Sequence, residues 1–129
     1  MLEMSGDGVI SVRMPLSLFG ALRASAARQG ISVHEAATRL VSYLPSLSQE
    51  DLRGLAEPPK ELESPKVSLY IGWRAVDVLA SVARGGTLSN SQILRRVLFG
   101  LLVCRSLSFV QHNEHWKLQI RIISDIRKP

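Results

Sequence analysis

Two stretches decide how this chain is read: Val9-Ile-Ser-Val-Arg-Met14 and, 57 residues later, Lys66-Val-Ser-Leu-Tyr-Ile71. In each, apolar and polar positions alternate strictly. Ile10, Val12 and Met14 fall on one side, with Val9, Ser11 and Arg13 on the other. In the second stretch Val67, Leu69 and Ile71 oppose Lys66, Ser68 and Tyr70. A period of two describes a strand buried on one face only. Pro15 and Gly72 then interrupt the pattern, as strand-ending residues do.

Outward from each strand the period changes. Leu18, Phe19, Leu22 and Ala26 are spaced for one face of a helix, and Gly30 is a stop signal. Ser32 with Glu35 three residues on has the form of a capping box, opening a second helix with Ala36, Ala37, Leu40, Val41 and Leu44. The later stretch runs in parallel. Val76, Leu79, Val82 and Ala83 precede Gly85-Gly86, and Ser89 with Gln92 opens a helix carrying Ile93, Leu94, Val97, Leu98 and Leu101. Sliding residues 9–44 onto 66–101 without a gap aligns most of these apolar positions, among them Ile10 with Val67, Val12 with Leu69, Phe19 with Val76, Leu40 with Val97 and Val41 with Leu98, although identities are few. Each copy therefore predicts strand, helix, short turn, helix. One such unit cannot bury a lone strand; a second strand beside it and a second helix pair beneath are required. The tandem copy supplies both.

The chain has 129 residues, which suits one domain or two very small ones. Aromatics are 5%, so the core is aliphatic. The start, MLEMSGDG, lacks the basic n-region of a secretory signal, and the one cysteine, Cys104, has no internal partner. A reducing, cytoplasmic location is expected. Net charge is +5 but uneven: +1 over residues 1–44, −3 over 45–65 and +7 over 66–129. A basic block beside an acidic connector suits a polyanionic partner.

The connector holds Pro45, Pro58, Pro59 and Pro65 with five acids, and reads as a solvated linker with room for a short helix over 48–55. The expected organisation is a flexible N-terminus over 1–8, a first motif over 9–44, an acidic Pro-rich linker over 45–65, a second motif over 66–104 and an extension over 105–129 packed on the same single domain. In that extension Trp116, Leu118, Ile120 and Ile122 alternate with Lys117, Gln119 and Arg121, which favours a strand. A helix with Leu118, Ile122 and Ile126 on one side stays open. The extension is expected to cap the core, contact DNA through Lys117, Arg121, Arg127 and Lys128, or bind a partner.

Ser11-Val-Arg-Met-Pro15 with Gly30-Ile-Ser-Val33, and Ser68-Leu-Tyr-Ile-Gly72 with Leu88-Ser-Asn90, resemble the ribbon-helix-helix superfamily of the Arc and methionine repressors. The resemblance implies a mainly α fold with a two-stranded antiparallel ribbon, here as a tandem motif forming an intramolecular pseudo-dimer. It implies a ribbon inserted into the major groove of double-stranded DNA. The base-facing residues would be Val9, Ser11, Arg13, Lys66, Ser68 and Tyr70. Arg13 suits guanine, whose O6 and N7 its fork can bond together. Val9 departs from the usual polar choice; it meets a thymine methyl or lies at the ribbon end. Ser32, Val33, Ser89 and Asn90, at the second helices' N-termini, would hold phosphates.

The single-chain arrangement resembles accessory proteins of conjugal and T-DNA transfer, with a relaxase or another DNA-processing protein as partner. It implies a monomeric pseudo-dimer, with side-by-side association on DNA left open. A transcriptional repressor using the same docking is the alternative, and an antitoxin or protein-interaction module the alternative of another class. Arg39 and Arg96 lie inside the second helices and are read as pairing with acids or backbone.

Cys104, His112 and His115 include a His-x-x-His spacing but lack an evident fourth ligand, and Cys104 ends an apolar helical run, which reads as core. No metal and no cofactor are expected. Gly85-Gly86 lies between helices and resembles no phosphate loop, and no nucleophile has an orienting third group. Catalysis is not expected.

Overall fold

The computed structural model describes residues 8–121. Their order is β1 (Val9–Arg13), α1 (Leu16–Gln29), α2 (Val33–Ser42), a 3-10 turn (Leu44–Ser46), α3 (Gln49–Gly54), β2 (Lys66–Tyr70), α4 (Gly72–Arg84), α5 (Asn90–Leu102), β3 (Leu107–His112) and β4 (His115–Ile120). The architecture is mixed α/β, with β1 and β2 in one antiparallel sheet and β3 and β4 in another. The second sheet corrects the expectation of a mainly α chain with a single ribbon. The alternation over Trp116–Ile120 does form a strand. Its partner over Leu107–His112 was not anticipated, because Val110 breaks the polar side of that pattern. Asn113 and Glu114, with φ of 51° and 69°, make the tight turn whose hand matches strand twist. Residues 1–7 and 122–129 lie outside the described residues, and with them most of the N-terminus read as flexible, the apolar Ile122 and Ile126, and the basic Arg127 and Lys128.

β1 and β2 pair in the register Val9↔Tyr70, Ile10↔Leu69, Ser11↔Ser68, Val12↔Val67 and Arg13↔Lys66. The alternation read from sequence places Val12, Met14, Val67, Leu69 and Ile71 in the core. The ladder runs on past both ends. The Met14 amide donates to the Pro65 carbonyl at 3.1 Å, and the Ile71 and Gly72 amides donate to the Gly8 carbonyl at 2.9 and 3.0 Å. Gly8 has φ of 71°, and a Cβ there would lie 2.6 Å from the Gly72 backbone, so only glycine fits.

The helices cover the inner face of the ribbon. Leu18 and Leu22 of α1, Leu40 and Val41 of α2, Leu79 of α4, and Ile93, Leu94, Val97 and Leu98 of α5 form one aliphatic core with the strands. Gly30 closes α1 in the left-handed conformation, with φ of 72°. Its amide donates to Ala27 and that of Ile31 to Ala26, so two orphan carbonyls are satisfied. Ser89 and Gln92 form a complete capping box on α5. On α2 only half of the expected box forms. Ser32 accepts from the Glu35 amide, but the Glu35 carboxylate turns outward to Arg39 at 2.9 Å. An arginine one turn on competes for that carboxylate; Gln92, being neutral, has no such rival.

The connector is less solvated than its composition suggests. Leu47, Leu52, Leu55 and Pro58 are buried, Leu52 completely. Ser48 and Asp51 form a full capping box that starts α3 and turns its leucines inward. Prolines and acids dominated the sequence reading, yet three leucines suffice to anchor the segment. The connector also caps α1, whose own N-cap is Pro15 and supplies no side-chain acceptor. The Glu61 carboxylate accepts from the Ser17 hydroxyl and from the Ser17 amide. Those hydrogen bonds, the hydroxyl first, hold its carboxyl below the ordinary glutamate value.

Leu52→Ala is expected to destabilise the fold by about 2–5 kcal/mol in urea titration; a loss under about 0.5 kcal/mol would restore the solvated-linker reading. Because Glu61 titrates lower folded than unfolded, its cap contributes stability above the ordinary glutamate range, and this is lost as pH falls through the depressed value. Ser17→Ala is expected to raise the Glu61 carboxyl towards its ordinary value in an NMR titration.

Candidate nucleic-acid interface

Six side chains occupy the outer face of the ribbon, away from the helices. Ser11, Arg13, Lys66, Ser68 and Tyr70 are exposed and Val9 is half-buried. The register sorts them into three cross-strand pairs. Ser11 and Ser68 face one another at the centre, with their hydroxyls 3.4 Å apart. Arg13 stands opposite Lys66 at one end, and Val9 opposite Tyr70 at the other.

Like charges directly opposed on a sheet are destabilising. Arg13 and Lys66 are so placed, and neither makes an ion pair among the described residues. Arg13 instead donates to the Ser64 carbonyl at 3.0 Å, which fixes its stem and leaves other donors of its fork outward. The other end is aromatic. Tyr70 is 60% exposed, and Trp73, at the start of α4, is 59% exposed with the Arg74 guanidinium 5.6 Å from its ring.

The second helix of each repeated stretch holds the ribbon edge belonging to the other. From α2, His34 Nδ1 accepts from the Tyr70 amide at 3.0 Å, and the Thr38 hydroxyl lies 3.5 Å from the Ile71 carbonyl. From α5, Arg95 donates to the Arg13 carbonyl at 3.1 Å. Thr38 and Arg95 are one repeat apart, so equivalent positions reach opposite strands.

Both helix N-termini read from sequence are exposed at Ser32, Ser89 and Asn90, with Val33 partly covered. The capping hydrogen bonds occupy the Ser32 and Ser89 oxygens as acceptors, and the Ser89 amide already donates to Gln92 Oε1 at 2.9 Å. The donors open to an anion are the next two amides of each helix, on Val33 and His34 and on Asn90 and Ser91. Ser89 is thus less available than the sequence suggested.

Sequence reasoning missed His34 and Arg95. Both sit in the first two turns of a second helix, and the strand-edge groups they meet belong to the other stretch, which no local pattern signals. Arg39 pairs with Glu35, as expected of an exposed helix face. Arg96 is tied into the connector: it meets Glu57 at 3.3 Å and donates to the carbonyls of Leu52, Arg53 and Leu55. Glu57 also meets Arg95 at 3.3 Å, so a connector carboxylate stands close to the basic end of the ribbon.

Cys104 corrects its expectation. It lies just past the end of α5 and is exposed, because the chain leaves the helix one residue before it and turns towards β3. Among the described residues no group of three or more His, Cys, Asp or Glu side chains is placed to hold a metal, and no helix is long and apolar enough to cross a membrane. Comparison with protein-family models, with curated proteins and with solved structures gave no match to this chain.

Proposed function

We propose that this chain is a sequence-specific double-stranded DNA-binding protein whose β1–β2 ribbon enters the major groove. The observation that carries the proposal is the strand register. Ser11 and Ser68, one repeat apart, face each other at the centre. Val9↔Tyr70 and Arg13↔Lys66 are the same pair of positions with the copies exchanged. This is the pairing that two ribbon-helix-helix motifs need to act as an intramolecular pseudo-dimer. A two-stranded ribbon fits the major groove, and its outer face presents donors and a paired positive charge.

Within this reading Arg13 bonds a guanine through O6 and N7. Lys66 reaches a neighbouring guanine or a phosphate. Ser11 and Ser68 read the central step, Tyr70 donates or accepts, and Val9 meets a thymine methyl. The amides at the starts of α2 and α5 hold phosphates on either side, which sets register without reading sequence. The ribbon ends differ in chemistry, so the preferred site is asymmetric, unlike the palindromes of homodimers. The biological role proposed is that of an accessory factor in conjugal or T-DNA transfer, alongside a relaxase. Repression of transcription would use the same docking.

Selection from a random duplex library is expected to return an asymmetric motif; a palindrome would mean two chains docking side by side. On the selected site, Arg13→Ala is expected to cost about 1–3 kcal/mol and relax preference at one base pair. Affinity is expected to fall linearly with salt on logarithmic axes. Wild-type affinity in Arg13→Ala, Lys66→Ala and Tyr70→Ala together would overturn the ribbon assignment.

A further inference from the structure

The connector closes a cleft against the cationic end of the ribbon. Its walls are Arg13 of β1, Gln92 and Arg95 in the first two turns of α5, and Glu57, Lys60 and Glu61 of the connector, around a volume of about 490 Å³. The connector is seated on both sides of Lys60. Leu55 and Pro58 are buried before it. After it, Glu61 accepts from Ser17, the Leu16 amide donates to the Glu63 carbonyl at 3.0 Å, and the Met14 amide donates to the Pro65 carbonyl at 3.1 Å. The wall that carries Lys60 is therefore preformed. Both carboxylates of the cleft are engaged: Glu61 takes the Ser17 donors, and Glu57 is shared between Arg95 and Arg96, each at 3.3 Å. The cations keep free donors. Arg95 gives Nε to Glu57 and Nη1 to the Arg13 carbonyl, and its Nη2 has no acceptor among the described residues. Lys60 is exposed, and neither it nor Arg13 forms an ion pair among the described residues. Glu63 lies outside the cleft, beside Leu16 and Pro65.

We infer that this cleft is a further phosphate site for duplex DNA, in which Lys60 and Arg95 hold a backbone phosphate beside the ribbon while the Glu57 carboxylate opposes it. The inference rests on the ribbon reading and adds to it a contact from the connector. Continuity supports that occupant, because Arg13 belongs both to the cleft and to the outer face of the ribbon. Charge supports it too. Lys66 stands opposite Arg13, so its charge reinforces the field of the cleft. A phosphate oxygen accepts charge-assisted hydrogen bonds from an ammonium and from a guanidinium Nη2. Glu57 plays two parts: it anchors Arg95, and as a like charge in the same cleft it repels the phosphate. The other end of the ribbon is built differently. The residues one repeat before Gln92 and Arg95 are Glu35 and Thr38, so an acid and a neutral side chain stand where the cleft has an amide and a guanidinium. A phosphate contact carries no sequence information, but one confined to a single ribbon end orients the chain on its site.

The test measures binding of the full chain to two labelled duplexes, the library-selected site and a scrambled sequence of the same length, across a series of salt concentrations. Lys60→Ala is expected to weaken binding to both by about threefold or more, to lower the slope of log affinity against log salt by about 1, and to leave thermal melting unchanged. Lys60→Glu is expected to weaken both by about tenfold or more. Glu57→Gln keeps an acceptor for Arg95 but removes the charge, and is expected to tighten binding to both by about threefold or more. A purely structural role for Glu57 would leave binding unchanged or weaken it. Arg13→Ala differs from all three in relaxing the preference for the selected site. Wild-type affinity and salt slope in Lys60→Ala, with Arg13→Ala weakened, would overturn this inference and leave the ribbon reading standing. A folded Glu57→Gln that binds no tighter would do the same. Failure of the wild-type chain to bind either duplex at low salt would overturn both.

Discussion

The antiparallel pairing of β1 with β2 is the constraint on which the rest of this structure depends. Each strand has one apolar face and two edges of unpaired backbone, and neither persists alone. Pairing satisfies one edge of each and joins Val12, Val67 and Leu69 into a single apolar surface for the helices to cover. The outer edges then fall to the second helices. His34 accepts the Tyr70 amide and Arg95 donates to the Arg13 carbonyl, so each copy finishes the strand of the other. The connector length follows from the same geometry, because the chain must travel from the end of α2 to the start of the opposing strand.

The two stretches keep that pairing while carrying different side chains. On the ribbon, Arg13 and Lys66 meet at one end and Val9 and Tyr70 at the other. A homodimer has to present the same residues at both ends; a single chain does not. In the helices, Gly86 and Gly100 stand 57 residues after Gln29 and Tyr43, and the glycines admit α3. Connector carboxylates also took on structural work. Glu61 caps α1, and Glu57 bridges Arg95 and Arg96. The excess of acid in the connector, read at first as a sign of solvation, is thus partly spent on named cations and amides.

Much of this was legible before any coordinates. A period of two over 9–14 and 66–71 determined which strand residues are buried, because successive side chains on a strand point to opposite faces whatever surrounds them. Helix stops at Gly30 and starts at Ser32, Ser48 and Ser89 were legible for a similar reason: caps satisfy local backbone groups. The six outer-face residues of the candidate interface follow from the alternation alone.

What the tertiary structure alone decided concerns competition between distant groups. Sequence gave no means of knowing that Glu35 prefers Arg39 to its own helix start, or that the Ser17 donors await Glu61. Nor did composition reveal that Leu47, Leu52 and Leu55 outweigh the prolines and acids around them, or that Cys104 leaves the helix exposed. The cross-strand partners of the ribbon, and with them the meeting of two cations at one end, depend on how two stretches 57 residues apart slide against each other. Local patterns determined which elements form and which faces are apolar, since those choices are made within a few residues. The register and the seating of α3 against α4 and α5 were decided by packing, which only the whole chain can settle.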